Sequence, residues 1–307
     1  MTLTAWAVTT GETGMRTQAR GLARAVADVV EEKIVSAQPW PLGRGALGPP
    51  WPDVIVSCGR RAAGAALAAR KGSGGRILAV HVQDPRLRAS DFDLVVAMQH
   101  DAIAEGGNVI KVTTALHDLT PQSLAEAGAA WQARLEPLGR PLTGVVVGGD
   151  LRGRPFTIAD AQRLIDGLMR LRSGSNAALA ITPSRRTPQP VIDLIGQAFA
   201  GDPGVFLWDR TAENPYRAIL ALSDRLVVTS DSVSMVSEAL ATPHPVEVFD
   251  LGFPRHVGFI QDLVEQALAR RFDGNPIPPA TTGPVNATLQ AAAAVRTLLQ
   301  ARTGVSG

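Results

Sequence analysis

The chain has 307 residues, 45% of them apolar and 19% charged, and its 30 Lys and Arg stand against 28 Asp and Glu for a net charge of +2. That length exceeds what one compact core usually fills and suggests two domains of roughly 150 residues, while the even charge balance excludes a polybasic nucleic-acid binder. Cys58 is the only cysteine, which excludes an internal disulfide and a Cys-based metal cluster.

In chain order, apolar β-branched runs predict strands at 5–9, 33–37, 54–57, 77–82, 94–97 and 109–112, with helical spacing at 16–29, 62–70 and 122–135. The Pro- and Gly-rich stretch 39–52 reads as a loop. A break falls at 136–142, and a second alternation follows, with strands at 143–147, 177–182, 205–208, 226–228 and 246–249 and helices at 158–171, 190–199, 215–222, 233–240 and 257–271. Strands alternating with helices imply parallel sheets. The expected fold is therefore α/β, with two Rossmann-like domains, 1–140 and 141–274, facing a cleft. Residues 275–307 read as a Pro-rich linker and a C-terminal helix at 285–301.

Met1 to Thr10 is too short and too weakly basic for a signal peptide, and no apolar run approaches the roughly 20 residues of a spanning helix. The expectation is a cytoplasmic protein, with peripheral contact at the inner membrane left open. Only Lys33, Lys71 and Lys111 are lysines. The arginine bias suits bidentate contact with phosphate, and a GC-rich genome would produce it equally.

In parallel sheets, ligands bind beyond the carboxyl ends of the strands, and the polar clusters fall there. Gly148-Gly149-Asp150 follows one strand, and glycines let a ligand approach the backbone. Ser184-Arg185-Arg186-Thr187 follows the next, where two arginines and two hydroxyls suit a diphosphate. Trp208 ends a third strand and could lie against a base, and Asn214 opens the helix after it. Leu226-Val-Val228 runs into Ser230-Asp231-Ser232-Val-Ser234-Met235, a hydroxyl-rich turn at a helix N-terminus, where free N–H groups and the helix dipole form a phosphate-sized anion site. Asp231 fits such a site only if its charge points away. Glu238, one turn along, could accept hydrogen bonds from two vicinal hydroxyls, as acidic residues do with ribose. Taken singly, each has a plainer account: Gly148 and Gly149 as a turn, Arg185 and Arg186 as solvated charges, Trp208 as core, Asn214 and the Ser-Asp turn as helix caps, and Glu238 as a solvated surface residue.

The first half has its own cluster after its strands. Gly11 and Gly14 do not have the spacing of a dinucleotide fingerprint, and with Gln18, Arg60 and Arg86 they read as acceptor-side contacts. Asp84, His100 and Asp101 are the candidate general bases. No Walker A pattern, His-Glu-x-x-His pair or Gly-x-Ser-x-Gly elbow occurs, which disfavours P-loop ATPase, zincin and α/β-hydrolase chemistry. No metal site is expected.

Six segments together resemble a known family: Cys58-Gly-Arg-Arg61, Asp84-Pro-Arg-Leu87, Phe92-Asp-Leu-Val95, Thr182-Pro-Ser-Arg-Arg-Thr-Pro188, Glu213-Asn-Pro-Tyr216 and Thr229-Ser-Asp-Ser-Val-Ser-Met-Val-Ser-Glu-Ala239. They are similar to the mitochondrial fission Elm (elongated mitochondria) family, over roughly residues 5–270. The plant members are tied to recruiting the fission machinery, and the bacterial members are regarded as candidate glycosyltransferases of the outer-core lipopolysaccharide type. The second half also resembles the nucleotide-sugar domain of GT-B glycosyltransferases. That resemblance implies that Ser230, Ser232, Ser234 and Glu238 hold the diphosphate and ribose of a nucleoside-diphosphate sugar, used as substrate, with no bound metal or other cofactor. It implies a lipid-linked or envelope glycan acceptor, no nucleic-acid partner, and a C-terminal helix crossing back onto the first domain. Many GT-B enzymes place a glycine before the Pro-Val strand; Thr242-Pro-His244-Pro-Val246 departs from that. Two alternatives remain open: a non-catalytic adaptor of the plant type, and a nucleotide-sugar epimerase.

Overall fold

The computed structural model describes residues 2–36, 47–151, 153–275 and 283–304. The chain divides into two compact units, Met1–Asp118 with Asn286–Gly307, and Leu119–Val285.

The sheet of the first unit comprises β1 (Thr4–Thr9), β2 (Val29–Ile34), β3 (Val54–Cys58), β4 (Leu78–Val82), β5 (Leu94–Met98) and β6 (Val109–Val112), in the order β2-β1-β3-β4-β5-β6. Every pairing is parallel. Each residue of β3, β4 and β5 is buried, as parallel strands covered on both faces must be. Ala62, Ala66 and Ala69 of α2 (Arg60–Gly72) pack on Trp6, Val8 and Ile55.

Helix α1 (Thr13–Val26) stops three residues before its expected end, and β2 starts four residues before the expected strand. The cause is pairing with the first strand: Asp28 Oδ2 accepts the Leu3 N–H at 2.8 Å and the Val29 N–H donates to Leu3 O at 3.1 Å. The expected strand end at Ala37 and residues 39–46 of the expected loop lie outside the described residues.

The second unit contains α3 (Pro121–Leu135), β7 (Leu142–Val147), α4 (Ile158–Ser175), β8 (Ala178–Pro183), α5 (Gln189–Ala198) and β9 (Val205–Leu207). After these come α6 (Tyr216–Leu222), β10 (Arg225–Thr229), α7 (Val233–Leu240), β11 (Val246–Phe249), α8 (Val257–Glu265) and β12 (Arg270–Arg271). Its sheet, parallel throughout, runs β12-β11-β10-β7-β8-β9. Val145, Val147, Leu179, Ile181 and Val227 bury one face against Leu164, Ile165 and Leu168 of α4 and Val191 and Ile195 of α5.

The units divide at residue 118, ahead of the expected break near 140. Helix α3 belongs with the second unit because Trp131 and Leu135 share a core with Ala218 and Ile219 of α6. Helix α8 ends at Glu265 instead of continuing to 271: Ala267 turns left-handed at φ 56° and the Leu268 N–H closes the helix on Leu263 O at 2.9 Å. The freed Arg270–Arg271 then pairs with β11 as an edge strand. The C-terminal helix, α9 (Ala287–Gly304), is part of the first unit, where Thr288 Oγ1 accepts the His117 N–H and donates to His117 O, both at 2.9 Å.

The strand order of the second unit is that of a doubly wound dinucleotide-type fold, and its direction of winding reverses between β7 and β10. The reversal in the first unit lies between β1 and β3. Ligands of such sheets bind at that switch point, beyond the carboxyl ends of the strands.

Candidate functional site

At the switch point of the second unit, three segments far apart in sequence are tied together. The Asp231 carboxylate accepts the Gly149 N–H at 2.9 Å, the Thr229 hydroxyl at 2.6 Å and Arg186 Nη2 at 2.9 Å. Thr229 Oγ1 in turn accepts the Gly148 N–H at 2.8 Å. Arg186 Nη1 donates to Asp150 O at 3.0 Å, and the Thr187 hydroxyl donates to Val147 O at 3.0 Å and also reaches Gly148 O. Burial raises the Asp231 pKa above the usual carboxylate range, against the opposing pull of Thr229, Gly149 and Arg186.

This geometry corrects the roles expected of several residues. Asp231 is 1% exposed and aims into the scaffold, so its charge does point away from the turn. A Cβ on Gly148 would stand 1.9 Å from Asp231 Oδ1, and one on Gly149 2.0 Å from Arg186 O. Both glycines therefore admit protein, where ligand was expected. Ser230 is also internal: its hydroxyl accepts the Leu251 N–H at 2.9 Å and lies 3.3 Å from Asp250 Oδ1. Trp208 is 8% exposed and largely packed within its unit.

The surface of the turn belongs to its second half. Ser232 caps α7, accepting the Met235 N–H at 3.3 Å, and Ser232, Ser234 and Met235 are half-buried. The first N–H groups of a helix have no intrahelical partner, so Val233 and Ser234 supply donors here. Glu238 is 9% exposed, and its Oε2 accepts the Tyr216 hydroxyl at 2.5 Å. Asn214 Oδ1 accepts the Tyr216 N–H at 2.9 Å and so starts α6. Ser184 is half-buried beside exposed Arg185 and Arg186, and Ser184 Oγ accepts the Arg186 N–H at 3.2 Å. No glycine is needed before β11: the Thr242 hydroxyl closes α7 on Ala239 O at 2.6 Å, while half-buried His244 has its pKa lowered by burial.

Three residues outside the expected set join the site, while Thr187, expected beside a diphosphate, turns its hydroxyl to backbone carbonyls. Tyr216 is described above. Arg210 Nη2 donates to Thr187 O at 2.7 Å and so braces the Ser184–Thr187 loop. His256 Nδ1 lies 2.8 Å from Ser230 O; a carbonyl can only accept, so that nitrogen carries the proton. A lone Tyr at a helix start, or a lone Arg or His between elements, carries no periodicity that could have marked it.

In the first unit the expected residues lie at the carboxyl edge of the sheet. Gly11 has φ 101°, Gly14 lies in the first turn of α1, and buried Gln18 donates to Gly14 O at 3.3 Å, within its own helix. Arg60 opens α2 and is exposed. Asp84 accepts the Arg86 N–H at 2.8 Å and pairs with Arg86 Nε at 3.2 Å. Asp101 accepts the Met98 N–H at 2.9 Å, and His100 beside it is exposed. Among the described residues no group of three or more His, Cys, Asp or Glu could hold a metal ion, and no helix is long and apolar enough to cross a membrane.

Residues 13–299 match the family model described as mitochondrial fission ELM1. The chain belongs to this family. It is 28% identical to the Arabidopsis thaliana mitochondrial fission protein ELM1 over 277 residues, which cover 82% of this chain and 65% of that protein. It is 27% identical to an uncharacterised Rickettsia prowazekii protein, over 72% of each. Solved structures share the fold at low identity. A candidate UDP-N-acetylglucosamine 2-epimerase from Listeria monocytogenes aligns at TM-score 0.61 and 12% identity, over 100% of this chain and 98% of that one. The Staphylococcus aureus MnaA–UDP co-structure aligns at 0.53 and 12% identity, over 97% of each. Acinetobacter baumannii MurG aligns at 0.51 and 14% identity, over 97% of this chain and 90% of that one. The fold of this ELM1-family member is thus the GT-B type of two α/β units.

Proposed function

We propose that this ELM1-family chain is a glycosyltransferase that holds a nucleoside-diphosphate sugar on its second unit and passes the sugar to a cell-envelope glycan of the lipopolysaccharide type. One observation carries the reading: at the β7/β10 switch point, α7 begins on a hydroxyl turn and sets the Glu238 carboxylate one turn inside. The N–H groups of that helix would take the diphosphate, with Ser232, Ser234, Arg185 and Arg186 beside them. Glu238 would take the ribose. A developing diphosphate charge can be stabilised by the helix dipole and arginines without a metal. On the first unit, Gly11, Gly14, Gln18, Arg60 and Arg86 are proposed for the acceptor. The base is drawn from Asp84, His100 and Asp101.

The test is thermal denaturation with UDP, GDP, ADP, CMP, dTDP and their sugar conjugates, UDP first because the MnaA structure carries it. A ligand at a hundred times its Kd adds about 2.7 kcal/mol to the folded state. The melting point should therefore rise by several degrees, and the rise should vanish in Glu238→Ala. A melting point unmoved by the whole panel sinks the proposal and turns attention to an adaptor role.

A further inference from the structure

Strand β2 is the outermost strand of the first sheet, and its run Val30-Glu31-Glu32-Lys33-Ile34 is nearly symmetric in chemistry about Glu32. The Val29 N–H donates to Leu3 O and the Val35 N–H to Thr9 O, both toward β1. Backbone groups alternate in direction along a strand. Val30, Glu32 and Ile34 therefore turn theirs to the open side, where no further strand lies among the described residues. Such an edge is a template for another strand. It is also apolar at both ends, since the side chains of Val29 and Ile34 are each more than half exposed.

We infer that two copies of this chain associate edge to edge through β2, as an antiparallel pair about a two-fold axis at Glu32, which joins two six-stranded sheets into one. Centred there, the pairing sets Val30 opposite Ile34 and Glu31 opposite Lys33, each twice. The residues with outward backbone groups then face one another and form about six inter-strand hydrogen bonds. Glu31 and Lys33 fall at the positions without backbone bonds, where opposed side chains come closest. Glu32 meets Glu32 of the second copy on the axis, and each is already neutralised within its own copy: Arg16 Nε donates to Oε2 at 3.0 Å and Arg20 Nη1 to Oε1 at 3.2 Å. Moving the second copy by two residues keeps the backbone match, but it sets Glu31 against Glu31 or Lys33 against Lys33. Charges on an edge strand ordinarily deter pairing. These deter the neighbouring registers and favour one. The inference is independent of the nucleotide reading above.

The experiment is sedimentation equilibrium of the full chain from about 1 to 500 μM, the range suited to a contact at the low end of interface size. The variants are Lys33→Glu, Glu31→Lys, their combination and Ile34→Pro, with melting points close to the wild type as the check that each folds. The wild type should dimerise reversibly within that range. Either single reversal puts like charges opposite each other twice and should weaken the dimer by about tenfold or more. The combined exchange makes the facing charges opposite again and should return the dissociation constant to within about threefold of the wild type. Ile34→Pro removes an outward N–H that β1 does not use, a change an edge strand tolerates, and should leave a folded monomer. A wild type that stays monomeric throughout overturns the inference. A dimer unmoved by the single reversals overturns it as well, because its contact would lie elsewhere, and so does a dimer that both reversals weaken and the exchange fails to restore, because the register would be wrong.

Discussion

Replacing Asp231 with alanine should destabilise the second unit by about 2–4 kcal/mol, the cost of stranding buried hydrogen-bond donors. Asp231 is 1% exposed and serves Gly149, Thr229 and Arg186 at once. The three partners do not suffer equally. The Arg186 side chain is 42% exposed, so its charge can turn to water, and the full penalty of an unpaired buried charge does not apply. The Gly149 N–H has no such escape, because it lies in a buried loop pressed against the Arg186 backbone. Asp231→Asn keeps an acceptor for one donor, and about half the loss is expected from it. Scanning calorimetry of the free protein should show the melting point falling by several degrees in Asp231→Ala. Nucleotide-induced stabilisation should fall with it, since the loop carrying Arg185 and Arg186 loses its tether. A melting point equal to the wild type would mean that the tie is incidental to the switch point.

That tie also shows what could be read from the sequence and what could not. The strands were legible because their burial is written locally: Val54-Ile-Val56 and Leu226-Val-Val228 are apolar without alternation, the pattern of strands covered on both faces. The turn after Leu226–Val228 was legible for a similar reason, since serines and an aspartate before a helical stripe are a cap signal. Strand β12 was not, because two exposed arginines carry no apolar pattern and their pairing is set by the left-handed residue Ala267. The roles of Gly148 and Gly149 were misread because the groups filling their missing side chains come from elsewhere; the Asp231 carboxylate that holds Gly149 is 82 positions away. Tyr216 belongs to the same class, a residue in a quoted motif whose partner only folding supplies. The local half of the site was thus visible, and its cross-links were not.

Acidification from pH 7 to pH 4 should remove about 3 kcal/mol from the first unit for each of two histidines kept neutral by burial. His81 is fully buried in β4, with Nδ1 2.8 Å from Ser57 Oγ and no partner for Nε2 among the described residues. His117 is 1% exposed and neither ring nitrogen has a partner among the described residues. Burial lowers both to about 4, against weaker opposing pulls from Asp84 and Asp118 respectively. The sign follows from the unfolded chain, where histidine titrates near 6.5 and so takes up protons first as the pH falls. The stability is therefore complete above about 6.5 and is lost as the pH falls through 4. His117 lies where the C-terminal helix is fastened, its backbone exchanging hydrogen bonds with Thr288 of α9, so protonation there should also loosen α9. A Leu at 117 leaves those backbone bonds in place while removing the titrating ring. Melting curves of His117→Leu should lose about half of the wild-type pH dependence between 7 and 4, and those of the double variant with His81→Phe most of the rest. A wild-type first unit whose melting point holds constant across that interval would show that both rings find acceptors for their added protons, contrary to the packing around them.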